Sequence, residues 1–171
     1  MRLRNYMTCA GIIVLSAVAT KGCLMGSEDS CGDCSPAAPI WLRPDLSNLE
    51  GSVVVAGRRY SMEAFAWRDF MPGNPCSKLA VAVRLHELDS LDVPEGTSPE
   101  FVWVRHGGDW WSGKFGNALR FHVPPSFVES HAGCGPTWPT GDLVDVVIQV
   151  RFSNSTEAFL RQNDVLIERT E

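Results

Sequence analysis

The residues of this chain best able to do chemistry are its cysteines, at positions 9, 23, 31, 34, 76 and 134. Cys31 and Cys34 form a C-x-x-C pair, the spacing of a dithiol redox site. Such a site works where a helix start in a βαβ setting lowers the thiolate pKa. Here the pair stands among Glu28, Asp29 and Asp33, whose charges disfavour a thiolate. The spacing therefore reads as structural, a source of disulfides. Cys76 lies in a Pro-rich turn and Cys134 in a Gly-rich one. Pairing them would pin two loops at one end of a domain and leave Cys31–Cys34 as a tight local ring. Crossed pairings that tie the Cys31/Cys34 segment to the body are equally legal, since four cysteines allow three connectivities. A four-thiol zinc site would need a second close pair, which is missing.

Histidine adds little. His131 precedes Cys134 by three residues, with His122 and Glu129 near in sequence, but no H-x-H pair occurs. No metal site is assigned and no cofactor is expected. The sequence has no G-x-S-x-G, no H-E-x-x-H and no phosphate loop. A non-catalytic binding or accessory role follows, with a small secreted hydrolase as the weaker alternative. Asn154-Ser155-Thr156 matches a glycan acceptor and reads as a polar turn.

The best binding candidate is residues 106–116, HGGDWWSGKFG. Adjacent Trp110 and Trp111 on an extended chain must point to opposite faces. One can join a core; the other is exposed or covered by a loop. A tryptophan on a Gly-rich loop beside Asp109 and Lys114 suits a protein contact, or sugar stacking in a carbohydrate-binding module. Burial of both rings by the chain itself is the plainer outcome.

The amino end places these groups in a compartment. Arg2 and Arg4 precede an apolar run from Met7 to Thr20, and a polar, Gly- and Pro-containing stretch follows. This is the layout of an export signal. At about fourteen residues the run falls short of the roughly 20 a spanning helix needs. Ala17-Val18-Ala19 offers a cut after Ala19, giving a secreted product. Thr20-Lys21-Gly22-Cys23 resembles a bacterial lipobox, with Gly22 and Cys23 in the matching positions. That resemblance implies a signal peptide over residues 1–22 and acylation (palmitate) at Cys23. It also implies a durable membrane anchor, since such proteins bear more than one acyl chain. Leu24 in place of Asp implies an outer-membrane lipoprotein facing periplasm or surface. Cysteine parity agrees. A cut after Ala19 leaves five cysteines in an oxidising compartment, whereas a lipidated Cys23 leaves four that can all pair. Residues 23–39 then read as the lipidated cysteine and a flexible tether, and 40–171 as one domain.

The whole chain holds 15 Lys and Arg against 20 Asp and Glu. Removing Arg2, Arg4 and Lys21 with the leader leaves 12 against 20. No basic stripe remains for nucleic acid. The membrane, through the lipid, and an envelope protein or glycan are the expected partners.

The body reads as all-β. Strict alternation over 78–88 puts Leu79, Val81, Val83 and Leu85 on one side, with Ala80, Ala82, Arg84 and His86 on the other. Residues 143–152 repeat the device, with Val144, Val146, Ile148, Val150 and Phe152 inward and Asp145, Gln149 and Arg151 outward. Further strands are expected at 50–56, 59–67, 101–105, 118–123 and 165–169, with 155–162 forming a hairpin-like end with the last. Seven or so short strands divided by turns predict an antiparallel, immunoglobulin-like β-sandwich. A jelly roll or small β-barrel would give the same pattern. The body is also loosely similar to single-domain bacterial envelope lipoproteins without assigned activity, through Trp67-Arg68-Asp69, Trp138-Pro139-Thr140-Gly141 and the valine-rich 144–150.

Overall fold

The computed structural model describes residues 34–72, 76–89, 92–122 and 126–171. The expected leader, Cys23, Cys31 and residues 73–75, 90–91 and 123–125 lie outside them. Among the described residues there are nine strands: β1 Ser52–Val55, β2 Arg58–Asp69, β3 Leu79–Glu87, β4 Ser98–His106, β5 Asp109–Lys114, β6 Leu119–Phe121, β7 Phe127–Ala132, β8 Leu143–Arg151 and β9 Glu157–Thr170. The short 3-10 turns Ile40–Leu42 and Leu46–Asn48 precede them. Among the described residues there is no α-helix, and none long and apolar enough to cross a membrane.

The strands make one curled, mixed sheet, a half-barrel, in the order β5-β4-β8-β9-β2-β3-β7-β6, with β1 also on β2. Every pairing is antiparallel except β2 with β9, where Ala66–Asp69 run parallel to Ile167–Thr170. That short seam joins two antiparallel halves, one built on β2-β3-β7-β6 and one on β5-β4-β8-β9. β9 serves both because it bends. Opposite Asp145 the register slips, leaving Asn163 and Asp164 as a bulge, and Asp164 sits at φ 56°. Asp tolerates that left-handed conformation better than most residues. Gln162, just before the bulge, offers its side-chain oxygen to the Ala64 N–H at 2.7 Å, in place of a ladder bond. The expected hairpin between 155–162 and 165–169 is thus a single strand.

Both alternating rows face the shared core. Leu79, Val81, Val83 and Leu85 are fully buried against Val144, Val146, Ile148, Val150 and Phe152, joined by Val102, Val104, Val128, Leu160 and Ile167. Each such side chain contributes roughly 1.5–3 kcal/mol on burial. Two strands were not visible as such in the sequence. β5 occupies the Trp110–Trp111 segment read as a loop, and β7 lies in a stretch for which no strand is expected.

The outer face of the β8 half is not wet as expected. Val147 and Trp103 are buried there with Ala38, under Leu42, Leu46 and Leu49 and beside Phe101, Trp110 and Phe159. Gln149 is buried too and donates to Glu157 at 2.6 Å. Residues 34–49 form this cover. Ser35 Oγ accepts from the Gly133 N–H at 3.0 Å, and the Pro36 carbonyl accepts from the Lys114 N–H at 2.6 Å. Cys34 is bonded to Cys134. Residues 34–39, expected to belong to a free tether, are therefore fixed on the body. Small and Pro-rich as they are, they meet groups that backbone bonds and a covalent bridge can hold.

Candidate binding surfaces

The Cys34–Cys134 bridge is one of the crossed pairings, so the uncrossed set of Cys76–Cys134 and Cys31–Cys34 is excluded. Cys76 is disulfide-bonded as well. The reason lies in the cover segment: its docking on the β8 half brings residue 34 to the loop after β7, 100 residues away.

Trp110 and Trp111 do point to opposite faces, and each meets its own chain. Trp111 packs on the main core. A Cβ at Gly135 would lie 3.1 Å from its ring and 2.9 Å from the Leu79 Cβ, so only glycine lets that loop close over it. Trp110 turns to the covered side, with the Arg43 guanidinium 5.3 Å from its ring centre. Asp109 and Lys114 are exposed at opposite ends of β5, about 17 Å apart at the rise of a strand. The four candidates therefore do not converge on one exposed aromatic site. What Trp110 does line is an open hollow of about 440 Å³, shared with Arg43, Pro44, Asp45, Leu46 and Arg105.

The weakly recognised motifs hold loops. Arg68 Nε donates to the Ser77 carbonyl at 2.6 Å and Nη1 to the Trp138 carbonyl at 3.0 Å, tying β2 to the loops before β3 and β8. Gly141, at φ 92°, makes the turn into β8 that a side chain would strain.

The surface that sequence reasoning missed is the outer face of the β3 half. Cross-strand register places Phe65, Trp67, Arg84, His86, Phe121, Phe127, Glu129 and His131 on that face. The rings stack through a cation. Arg84 lies 4.8 Å from the Phe65 ring centre and 5.1 Å from that of Phe127, and Phe127 stacks on Phe121 at 4.6 Å. Glu129 accepts from Arg84 at 2.7 Å and lies 2.8 Å from His131 Nε2. Its carboxyl is held below the usual range, chiefly by the Arg84 bond, against desolvation that raises it; His131 also lowers it. Trp67 stands edge-on to His131, and His86 lies 3.6 Å from Glu63. Phe65 and Phe121 are each 40% exposed and Leu119 53%. The signal available in sequence was the alternate row of β2, Glu63-Ala64-Phe65-Ala66-Trp67, where both faces carry apolar residues.

The histidines do not gather. His131, His106 and His86 each face a different carboxylate, and no group of three or more His, Cys, Asp or Glu that could hold a metal occurs among the described residues. Compared with known proteins, the chain matches no family model, no curated protein and no solved structure.

Proposed function

We propose that this chain is a bacterial envelope lipoprotein, acylated at Cys23, whose β domain binds a protein partner. The leader supports export, and the oxidised cysteines support a compartment where disulfides persist. With Cys34 joined to Cys134 and Cys76 also bonded, a pairing of Cys76 with Cys31 would leave Cys23 for the lipid. The anchor presents the domain at the membrane, facing periplasm or surface.

The observation that carries the binding reading is the contrast between the two outer faces. One is sealed by residues 34–49; the other carries the Phe65–Arg84–Phe127–Phe121 stack and is covered by no described residue. Exposed aromatics with arginine are what protein interfaces use as anchors. A glycan needs a bare ring face to stack on. In this row Arg84 lies over Phe65 and Phe127, and Phe127 stacks on Phe121, which leaves fewer bare ring faces, so the carbohydrate-binding reading has less support.

The domain fits an immunoglobulin-like sandwich. With β2 as its first strand, the halves read first-second-fifth-fourth and, with one added strand, third-sixth-seventh. It lacks that fold's bridge between the second and sixth strands, and its Trp103 faces the outer cover rather than the core.

Photo-crosslinking from position 119 in intact envelopes tests the binding reading. A discrete protein adduct is expected, lost in Phe65→Ser and Phe121→Ser variants that melt normally. Adducts that survive both substitutions contradict it.

A further inference from the structure

We propose that the hollow over Trp110 is a second, independent binding site, one that takes a carboxylate on a peptide. It is lined by the Trp110 ring, by the apolar Pro44 and Leu46, and by the charged Arg43, Asp45 and Arg105. The volume, about 440 Å³, lies within the range of small-ligand sites. Arg43 is exposed and lies over Trp110, with no ion pair among the described residues. Trp110 orients its guanidinium without neutralising it. Arg105 is held through Nε and Nη2 by Asp145, and the same carboxylate also meets Arg161 at 3.1 Å. Arg161 Nη1 in turn bonds the Leu46 carbonyl at 3.0 Å, fixing the wall of the hollow. One carboxylate thus serves two guanidiniums.

The charge count selects the ligand. Arg43, Arg105 and Arg161 oppose Asp45 and Asp145, leaving one positive charge in a chain that is acidic as a whole. A planar guanidinium matches a carboxylate in two parallel hydrogen bonds. A single negative charge balances the site, whereas phosphate near its second ionisation brings up to two and is repelled by Asp45 more strongly than a carboxylate is. The apolar sides Pro44 and Leu46 and the ring edge suit the peptide flanking an acidic side chain. Asp45 accepts from the Ser47 N–H at 3.0 Å and so stays in place on the rim.

The test is titration of the purified, disulfide-bonded chain with acetyl-Ala-Glu-Ala amide, its glutamine twin and inorganic phosphate, followed by the NMR signals of the Trp110 indole and Arg43 Nε–H. The acidic peptide is expected to shift both, and to bind more weakly as salt rises. Arg43→Gln should weaken it about tenfold, the usual scale for losing a hydrogen bond to a charge. Asp45→Asn keeps the cap, removes the repulsion and should tighten binding. Both positions are exposed, so thermal melting should not move. Equal binding of the glutamine twin, tighter binding of phosphate, or an affinity unchanged by Arg43→Gln would overturn the proposal. So would weaker binding in Asp45→Asn, or no shift at Trp110 in the folded chain. None of these results bears on the aromatic face of the β3 half, which is tested separately.

Discussion

Arg84 on β3 and Glu129 on β7 stand directly opposite across the strand pair and bond at 2.7 Å between two phenylalanine rings. The pair fixes the spacing of the exposed aromatic row. A cation between two rings contributes on the order of 0.5–1 kcal/mol per contact at such a site. The stack is therefore a modest stabiliser and a well-defined shape.

Acid should loosen this face. Glu129 is held below its usual pKa in the folded chain, so its contribution to stability is complete above the unfolded value, about 4.3. That contribution is lost as pH falls through the lower, folded value. Urea midpoints measured from pH 7 down to 3 should fall more for the wild type than for Glu129→Gln, whose acid limb is flatter. Parallel curves would remove Arg84–Glu129 as a contributor.

The core should respond in proportion to burial. Leu85 is fully buried and Leu143 is 53% exposed, although both lie on strands. Leu85→Ala should cost about 2–5 kcal/mol through lost contacts and a cavity. Leu143→Ala should stay within about 0.5 kcal/mol. Urea unfolding followed by tryptophan fluorescence separates the two.

The β1–β2 turn is improvable. Ala56 at φ 51° and Gly57 at φ 78° form a two-residue hairpin turn, in which alanine occupies a left-handed position. Asn or Gly is preferred there. Ala56→Asn should add on the order of 1 kcal/mol, the scale of the left-handed penalty, read as a raised melting temperature. A drop would show that the turn is not as described.

Disulfide mapping gives a covalent check. Non-reducing digestion should yield a peptide joining Cys34 to Cys134 and a second joining Cys76 to Cys31. Cys134→Ser should cost on the order of 4–5 kcal/mol by the chain-entropy estimate for a loop of about 100 residues. Recovery of a Cys76–Cys134 peptide would contradict the docking of residues 34–49.

Sequence made part of this legible, and the rest failed for physical reasons. β3 and β8 were plain because each carries an unbroken inward row of branched aliphatics. β7 was hidden because its inward row, Val128, Ser130 and Ala132, includes a polar residue and a small one, while Phe127 points outward. β9 read as two strands because Asn163-Asp164 looks like a turn and serves as a bulge. The opposed directions of Trp110 and Trp111 followed from strand geometry alone. Their covering did not, because the cover comes from a segment whose composition resembles a linker and whose few leucines, at 42, 46 and 49, meet the sheet only in three dimensions. The aromatic row was unreadable for a related reason: its members come from four strands, one or two from each.

The central claim is an exported chain held to a membrane through Cys23, and metabolic labelling with palmitate in a bacterial host tests it most directly. Label in the wild-type protein, absent from Cys23→Ala, is the predicted result. An unlabelled wild type, or label that persists in Cys23→Ala, would contradict it.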